Sequence, residues 1–199
     1  MADAFQHVIR AYSNPLRHYH DFVHIQNMII YAHMYGDPDH IFGDDGFLTR
    51  PLYHAIMFHD VHYEFVRSGA HSNEELSAAE YGVYAVKKGI PDDEVNRVVD
   101  MIHATEHHFA GTDYTDYLTN LLLDLDVLSF AEEHERFQQI QNDIDAEYLN
   151  FYPEELVYEK RIAFLTDIYK NKKLRYRVVD PTGVLTEIAY KNLSMYLDM

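Results

Sequence analysis

The chain has 199 residues, with 16 Lys and Arg against 33 Asp and Glu, so its formal net charge is −17 with histidine neutral. So large an acidic surplus argues against binding extended nucleic acid or anionic membrane, which clustered Lys and Arg mediate. The absence of cysteine excludes disulfides, thiolate nucleophiles and thiolate-bound zinc.

The opening MADAFQHVIRAY has no basic stretch ahead of an apolar one, and no apolar run approaches the ~18 residues of a membrane helix. The expected compartment is therefore the cytoplasm. Residues 20–35 place Val23, Ile25, Met28, Ile29 and Ala32 near one helical face, and Gly36-Asp37-Pro38 ends that helix. Residues 36–46 are turn-rich and acidic and read as a surface loop. Residues 47–63 carry a helical apolar pattern through Leu52, Ala55, Ile56 and Phe58 into FHDVHYEF. Ser72 and Glu75 form a capping box that opens a helix to about Lys88, where Gly89 ends it. Pro91 with Asp92, Asp93 and Glu94 starts the next, which runs to about His108 and buries Val95, Val98, Val99 and Ile102. After a break at Gly111 to Asp113, helices are expected over 114–128, 130–150 and from Pro153 to about Tyr169. The basic stretch Lys170 to Arg177 reads as a loop, and Asp180-Pro181 restarts a last helix on Val184, Leu185, Ile188, Leu193 and Tyr196. No two alternating runs flank a hairpin turn, so the expected fold is all-α, one domain over residues 1–199.

Of 14 histidines, 13 lie at or before His108, and they concentrate where ligand-like patterns occur. His20 and His24 are four apart and share a helical face. His59-Asp60 is an adjacent imidazole and carboxylate within an apolar pattern, and His103, His107 and His108 close a helix. Asp124-Leu125-Asp126 puts two acids inside LTNLLLDLDVLSF, where desolvation is costly unless a positive charge compensates. Only Arg97 supplies a fixed cation between Lys88 and Arg136. A metal ion shared with His24, His59 and Asp60 would supply the missing charge; alternatively, the two acids cap and edge a helix. Nitrogen and oxygen ligands without sulfur suit Mn²⁺, Mg²⁺, Fe²⁺ or Zn²⁺, and the ligand types alone do not choose between them. His7, His33, His40, His54, His71 and His134 read as ordinary structural or surface residues.

In this order, H…HD…D, the chain resembles the HD superfamily of metal-dependent phosphohydrolases, and within it a bacterial HD-type phosphohydrolase subfamily. The resemblance rests on YSNPLRHYHDFVHI, FHDVHY, Asn73 to Ala78, Ala104 to His108, LDLDVL, Glu147-Tyr148, Arg161 and Ala189 to Leu193, spanning about residues 12 to 195. Val127 stands where the subfamily carries Leu, and Asp145 where it carries Arg in an Ile-Arg-x-Glu-Tyr segment. The segment YHDFVHI is also similar to one in cyclic nucleotide phosphodiesterases, distant relatives in the same superfamily. The resemblance implies an HD-domain helical bundle with a divalent metal on His24, His59, Asp60 and Asp126, Asp124 being the alternative fourth ligand. It implies His20 as general acid. Glu74 either orients water or a second cation, or only favours its helix dipole. Arg17 would neutralise a substrate phosphate or pair with an acid, and Tyr63, Asn73 and His108 would contact substrate. The implied partner is a small phosphorylated molecule, a nucleotide and foremost a nucleoside triphosphate, with no extended nucleic acid and no membrane; the oligomeric state stays open. A phosphodiesterase for a cyclic or signalling nucleotide is the alternative activity, and a silent HD-fold module binding a nucleotide or protein the alternative class. Among 17 tyrosines some can stack on a base, and the loop at 170–177 either contacts phosphate or is merely solvated.

Overall fold

The computed structural model describes residues 2–66 and 69–199, with side chains from Gln6 onward. Ten α-helices follow one another, and the only strand-like pairing among the described residues is one antiparallel bridge between Phe42 and Leu48. They are α1 (Ala2–Tyr12), α2 (Phe22–Tyr35), α3 (Pro38–Ile41), α4 (Arg50–Phe58), α5 (Asn73–Lys88), α6 (Asp92–Thr105), α7 (Tyr117–Asp126), α8 (His134–Leu149), α9 (Glu154–Lys170) and α10 (Val184–Tyr196). Short 3₁₀ turns cover His108–Ala110 and Leu128–Ala131.

Capping sets where the helices begin. Asp21 accepts the N–H groups of Val23 and His24 at 2.7 and 3.3 Å, which fixes the first turn of α2. Ser72 and Glu75 close the expected capping box on α5, and Gly89 ends that helix in the left-handed conformation at φ 65°. Asp116 accepts from Thr119 and starts α7.

At the centre, α4 packs against α2, α6 and α7, while α5 lies along α6. Leu52, Ile56, Met101, Ile102, Leu121 and Leu122 are fully buried there, each contributing about 1.5–3 kcal/mol by leaving water. One apolar cluster runs from Val8 to Leu193, so the first and last helices share this core. No helix among the described residues is long and apolar enough to cross a membrane.

The structure departs from the sequence pattern in several places, each for a local reason. Helix α1 was not apparent from the sequence; it docks through the buried Val8 and Tyr12. In the expected loop, Asp37 caps Asp39 and Pro38 sits in the first turn, so the short α3 forms and buries Ile41. Helix α4 ends at Phe58 because the backbone beyond it pairs elsewhere: Asp60 N–H donates to Tyr12 Oη at 3.2 Å, and the carbonyls of Asp60 and Val61 accept from Arg17 at 2.8 and 3.0 Å. Helix α10 starts at Val184, not Pro181, since the Asp180 side chain accepts from Leu185 and Thr186. Val184 and Ile188 face outward on it, and Asn192 is buried instead, donating to the carbonyls of Phe130 and Glu132.

Candidate metal centre

Three helix ends converge on one point. His24 lies one turn into α2, His59 and Asp60 follow the last residue of α4, and Asp126 is the last residue of α7. One ligand atom from each of His24, His59 and Asp60, all buried, lies within 4.8 Å of the other two. His24 Nε2 and His59 Nε2 are 3.3 Å apart, and His59 Nε2 is 3.2 Å from Asp60 Oδ2. Asp126 Oδ1 stands 3.0 Å from His24 Nε2 and 3.5 Å from His59 Nε2. Ligands held about 2.0–2.2 Å from a common cation stand roughly 3.0–3.6 Å from one another, the spacing seen here.

The hydrogen bonds around these groups favour a cation. His59 Nδ1 donates to the Ile56 carbonyl at 2.9 Å, which leaves the Nε2 lone pair for the cluster. Asp126 Oδ2 accepts from His108 Nε2 at 2.6 Å, leaving Oδ1 on the cluster side. Among the described residues no Lys or Arg pairs with Asp60 or Asp126. Burial alone would raise both carboxyls. The imidazoles beside them reverse this, holding Asp60 down to about 2 and Asp126 well below the usual carboxylate range. Burial opposes a charge on His59, yet Asp60 and Asp126 outweigh it and raise its proton affinity well above that of free imidazole. His24, His59 and Asp60, closely spaced and buried, form a donor set that fits a divalent cation, and Asp126 Oδ1 stands beside the two imidazoles but outside that three-residue group.

The two acids of LDLDVL have separate surroundings. Asp124 is fully buried and accepts the backbone N–H groups of Arg177, Val178 and Val179 at 2.6–3.1 Å, with the Arg177 guanidinium 3.6 Å away. Its compensation therefore comes from the 174–179 segment rather than from the cluster. The same segment is not a free basic patch, since Arg177 also donates to the carbonyls of Thr112 and His108, and Arg175 pairs with Asp113.

His20 is held beside the cluster by a residue the sequence pattern did not single out as functional. Glu147 Oε2 accepts from His20 Nδ1 at 2.7 Å, while Oε1 accepts the backbone N–H groups of His18, Tyr19 and His20, each at 2.9 Å. Burial raises the Glu147 carboxyl, but the imidazole and these N–H groups more than offset it and leave it below its ordinary value. Tyr63 stacks on the His20 ring with centroids 3.9 Å apart, and its hydroxyl meets that of Tyr148 at 3.1 Å.

A cavity of about 610 Å³ opens against this region, lined by His20, Tyr63, His108 and Asp126. Phe65, Phe109, Phe130 and Phe164 give it aromatic walls, and Gln141, Asp145 and Arg161 add polar groups from α8 and α9. Asp145 pairs with Arg161 Nε at 2.8 Å.

Three expected residues sit apart from the cavity wall. Arg17 is buried, its Nη1 and Nη2 donating to the carbonyls of Asp60 and Val61 while Nε has no partner among the described residues, so it braces the His-Asp backbone from outside the cavity lining. Asn73 Oδ1 is occupied by the Glu64 N–H at 2.9 Å, closing the loop before α5. Glu74 lies in the first turn of α5 with Oε2 buried and without a partner among the described residues, outside the three-residue ligand group. Of the third histidine segment, His108 alone reaches Asp126.

The chain matches no protein-family model, no curated protein and no solved structure.

Proposed function

We propose that this chain is a divalent-metal-dependent phosphohydrolase acting on a small phosphate ester, a nucleotide. The observation that carries the reading is the juxtaposition of two features: the His24, His59, Asp60 and Asp126 donor set, and His20 on the wall of the adjoining cavity with Glu147 on its Nδ1. When bound, the cation would supply a Lewis acid and lower the pKa of a coordinated water. His24 and His59 would hold it through Nε2, and Asp60 and Asp126 through one oxygen each. Glu147 accepts from His20 Nδ1–H and orients the ring, so that in the imidazolium form Nε2–H would give its proton to the leaving oxygen and leave the neutral Nδ1–H tautomer. His108 anchors the second oxygen of Asp126, and the aromatic walls exclude water from the bond that breaks. Mn²⁺ is the expected metal, with Mg²⁺, Fe²⁺ and Zn²⁺ as alternatives of the same ligand chemistry.

The test is a Mn²⁺-supplemented panel of mononucleotides, triphosphates and cyclic nucleotides, with products read by chromatography and metal content by mass spectrometry. Asp60→Ala and chelator should each abolish turnover. Turnover that survives either refutes the mechanism. Cleavage of cyclic nucleotides alone would assign the phosphodiesterase activity, and neither bound metal nor turnover would leave a binding module.

A further inference from the structure

The wall formed by α8 and α9 carries polar groups for which the metal chemistry has no use. Gln141 and Asp145 are 1% and 2% exposed, both line the cavity, and each leaves one oxygen, Oε1 and Oδ2, without a partner among the described residues. Buried acceptors are nearly always satisfied, so two on one cavity wall point to donors that arrive with a ligand. Arg161 supplies the complement. Its Nε is taken by Asp145 Oδ1, and its two terminal nitrogens have no partner among the described residues. Asp145 neutralises Arg161, and the exposed Lys160 on the same wall has Glu159 at 3.9 Å, so the buried part of this wall suits an uncharged edge with both donors and acceptors. The phenylalanine walls suit a flat ring, which aromatic faces bind by stacking, and a volume of about 610 Å³ is within the usual range for a ligand of nucleotide size.

We infer that the cavity takes a nucleoside phosphate whose base bears an exocyclic amino group, as adenine, guanine and cytosine do and uracil does not. Gln141 and Asp145 accept from the amino group, and Arg161 donates to acceptors of the same base. The phosphate half of this assignment rests on the proposed phosphohydrolase activity; the base half is tested without it. Calorimetric titration of the metal-free protein, in chelator, with adenosine, guanosine, cytidine and uridine should show at least one amino-bearing nucleoside binding tenfold or more tighter than uridine. Gln141→Leu, close in volume, should reduce that preference at least fivefold, and Asp145→Asn should do the same. If Asp145→Asn does not fold, Gln141→Leu decides. Equal binding of uridine, no nucleoside binding, or an unchanged preference in Gln141→Leu overturns the inference, whatever the phosphohydrolase panel shows. Selective nucleoside binding together with an inert panel overturns the proposed activity and leaves the base site standing.

Discussion

Replacing Glu147 separates two tasks that its two oxygens perform. Oε1 collects three backbone N–H groups at 2.9 Å, and Oε2 holds His20 Nδ1 at 2.7 Å. In Glu147→Gln the amide oxygen can keep the backbone donors, so the turn before α2 stays formed. The loss is the charge on bonds that, to ionised groups, are worth about 1.5–3 kcal/mol each, partly retained by the neutral acceptor, giving about 1–3 kcal/mol overall. The amide nitrogen then faces His20 Nδ1, which must become an acceptor, moving the ring proton to Nε2 and removing the support for the imidazolium. If His20 is the general acid, kcat/KM should fall by about 10²–10⁴, with KM little changed. Glu147→Ala leaves three N–H groups without an acceptor and should cost about 3–6 kcal/mol. Urea unfolding reports the stability of both variants, and steady-state kinetics with Mn²⁺ reports activity. A folded Glu147→Gln protein with parental kcat/KM would refute the assignment of His20, since nothing would then depend on its tautomer.

Three further outcomes follow from the same geometry. Asp126→Asn should weaken Mn²⁺ binding by about 100-fold or more at little cost in stability, whereas Asp124→Ala should lose about 3 kcal/mol or more by orphaning backbone donors and keep its Mn²⁺ affinity. Calorimetry and urea unfolding separate them, and the reverse pattern would make Asp124 the ligand. Mn²⁺ at a hundredfold excess over its Kd should stabilise the protein by about 2.7 kcal/mol, raising Tm by roughly 5–10 °C, and chelator should reverse this in a thermal-shift assay; no shift argues against a cluster that binds metal. Burial holds His54 down to about 4 from 6.5. Between these values the unfolded chain carries a proton there that the folded chain refuses, so stability falls by about 2–3 kcal/mol as pH drops from 6.5 to 4. His54→Gln should remove that slope, measured by urea unfolding across this window, and leave stability above pH 7 without a new pH dependence.

What could be read from the sequence was local. The capping box at Ser72 and the stop at Gly89 depend on neighbours a turn away, and such signals are in the pattern itself, whereas the expected helical pairing of His20 with His24 does not form, because Asp21 caps α2 and leaves His20 in the turn before it. Asp124 shows where this ends. Two acids among leucines announce that something must compensate each of them, but the partner of Asp124 is the backbone at 177–179, and backbone donors have no sequence signature. Arg17 was equally opaque, because its targets are carbonyls of residues 60 and 61. Glu147 lies 129 residues from His18, and Asp145 meets Arg161 only because α8 and α9 pack side by side. A charged pair on separate helices is visible only after the helices are placed.

The placement of the donors at helix ends bears on how an acidic chain can handle a phosphate ester. His59 caps the C-terminus of α4 and Asp126 is the last residue of α7, so both helices direct the negative ends of their dipoles toward the cluster, a field that favours a cation and disfavours an anion. With Asp60 and Asp126 ionised and no Lys or Arg among the described residues paired with them, the metal-free cluster offers a phosphate no fixed cation. Once a divalent cation is in place the local sign is reversed, while the rest of the surface still rejects extended polyanions. On the proposed activity, the order of binding would be metal first, then substrate. Phosphate-bearing ligands should therefore bind the cavity only when the metal is present, whereas an uncharged nucleoside needs no such help.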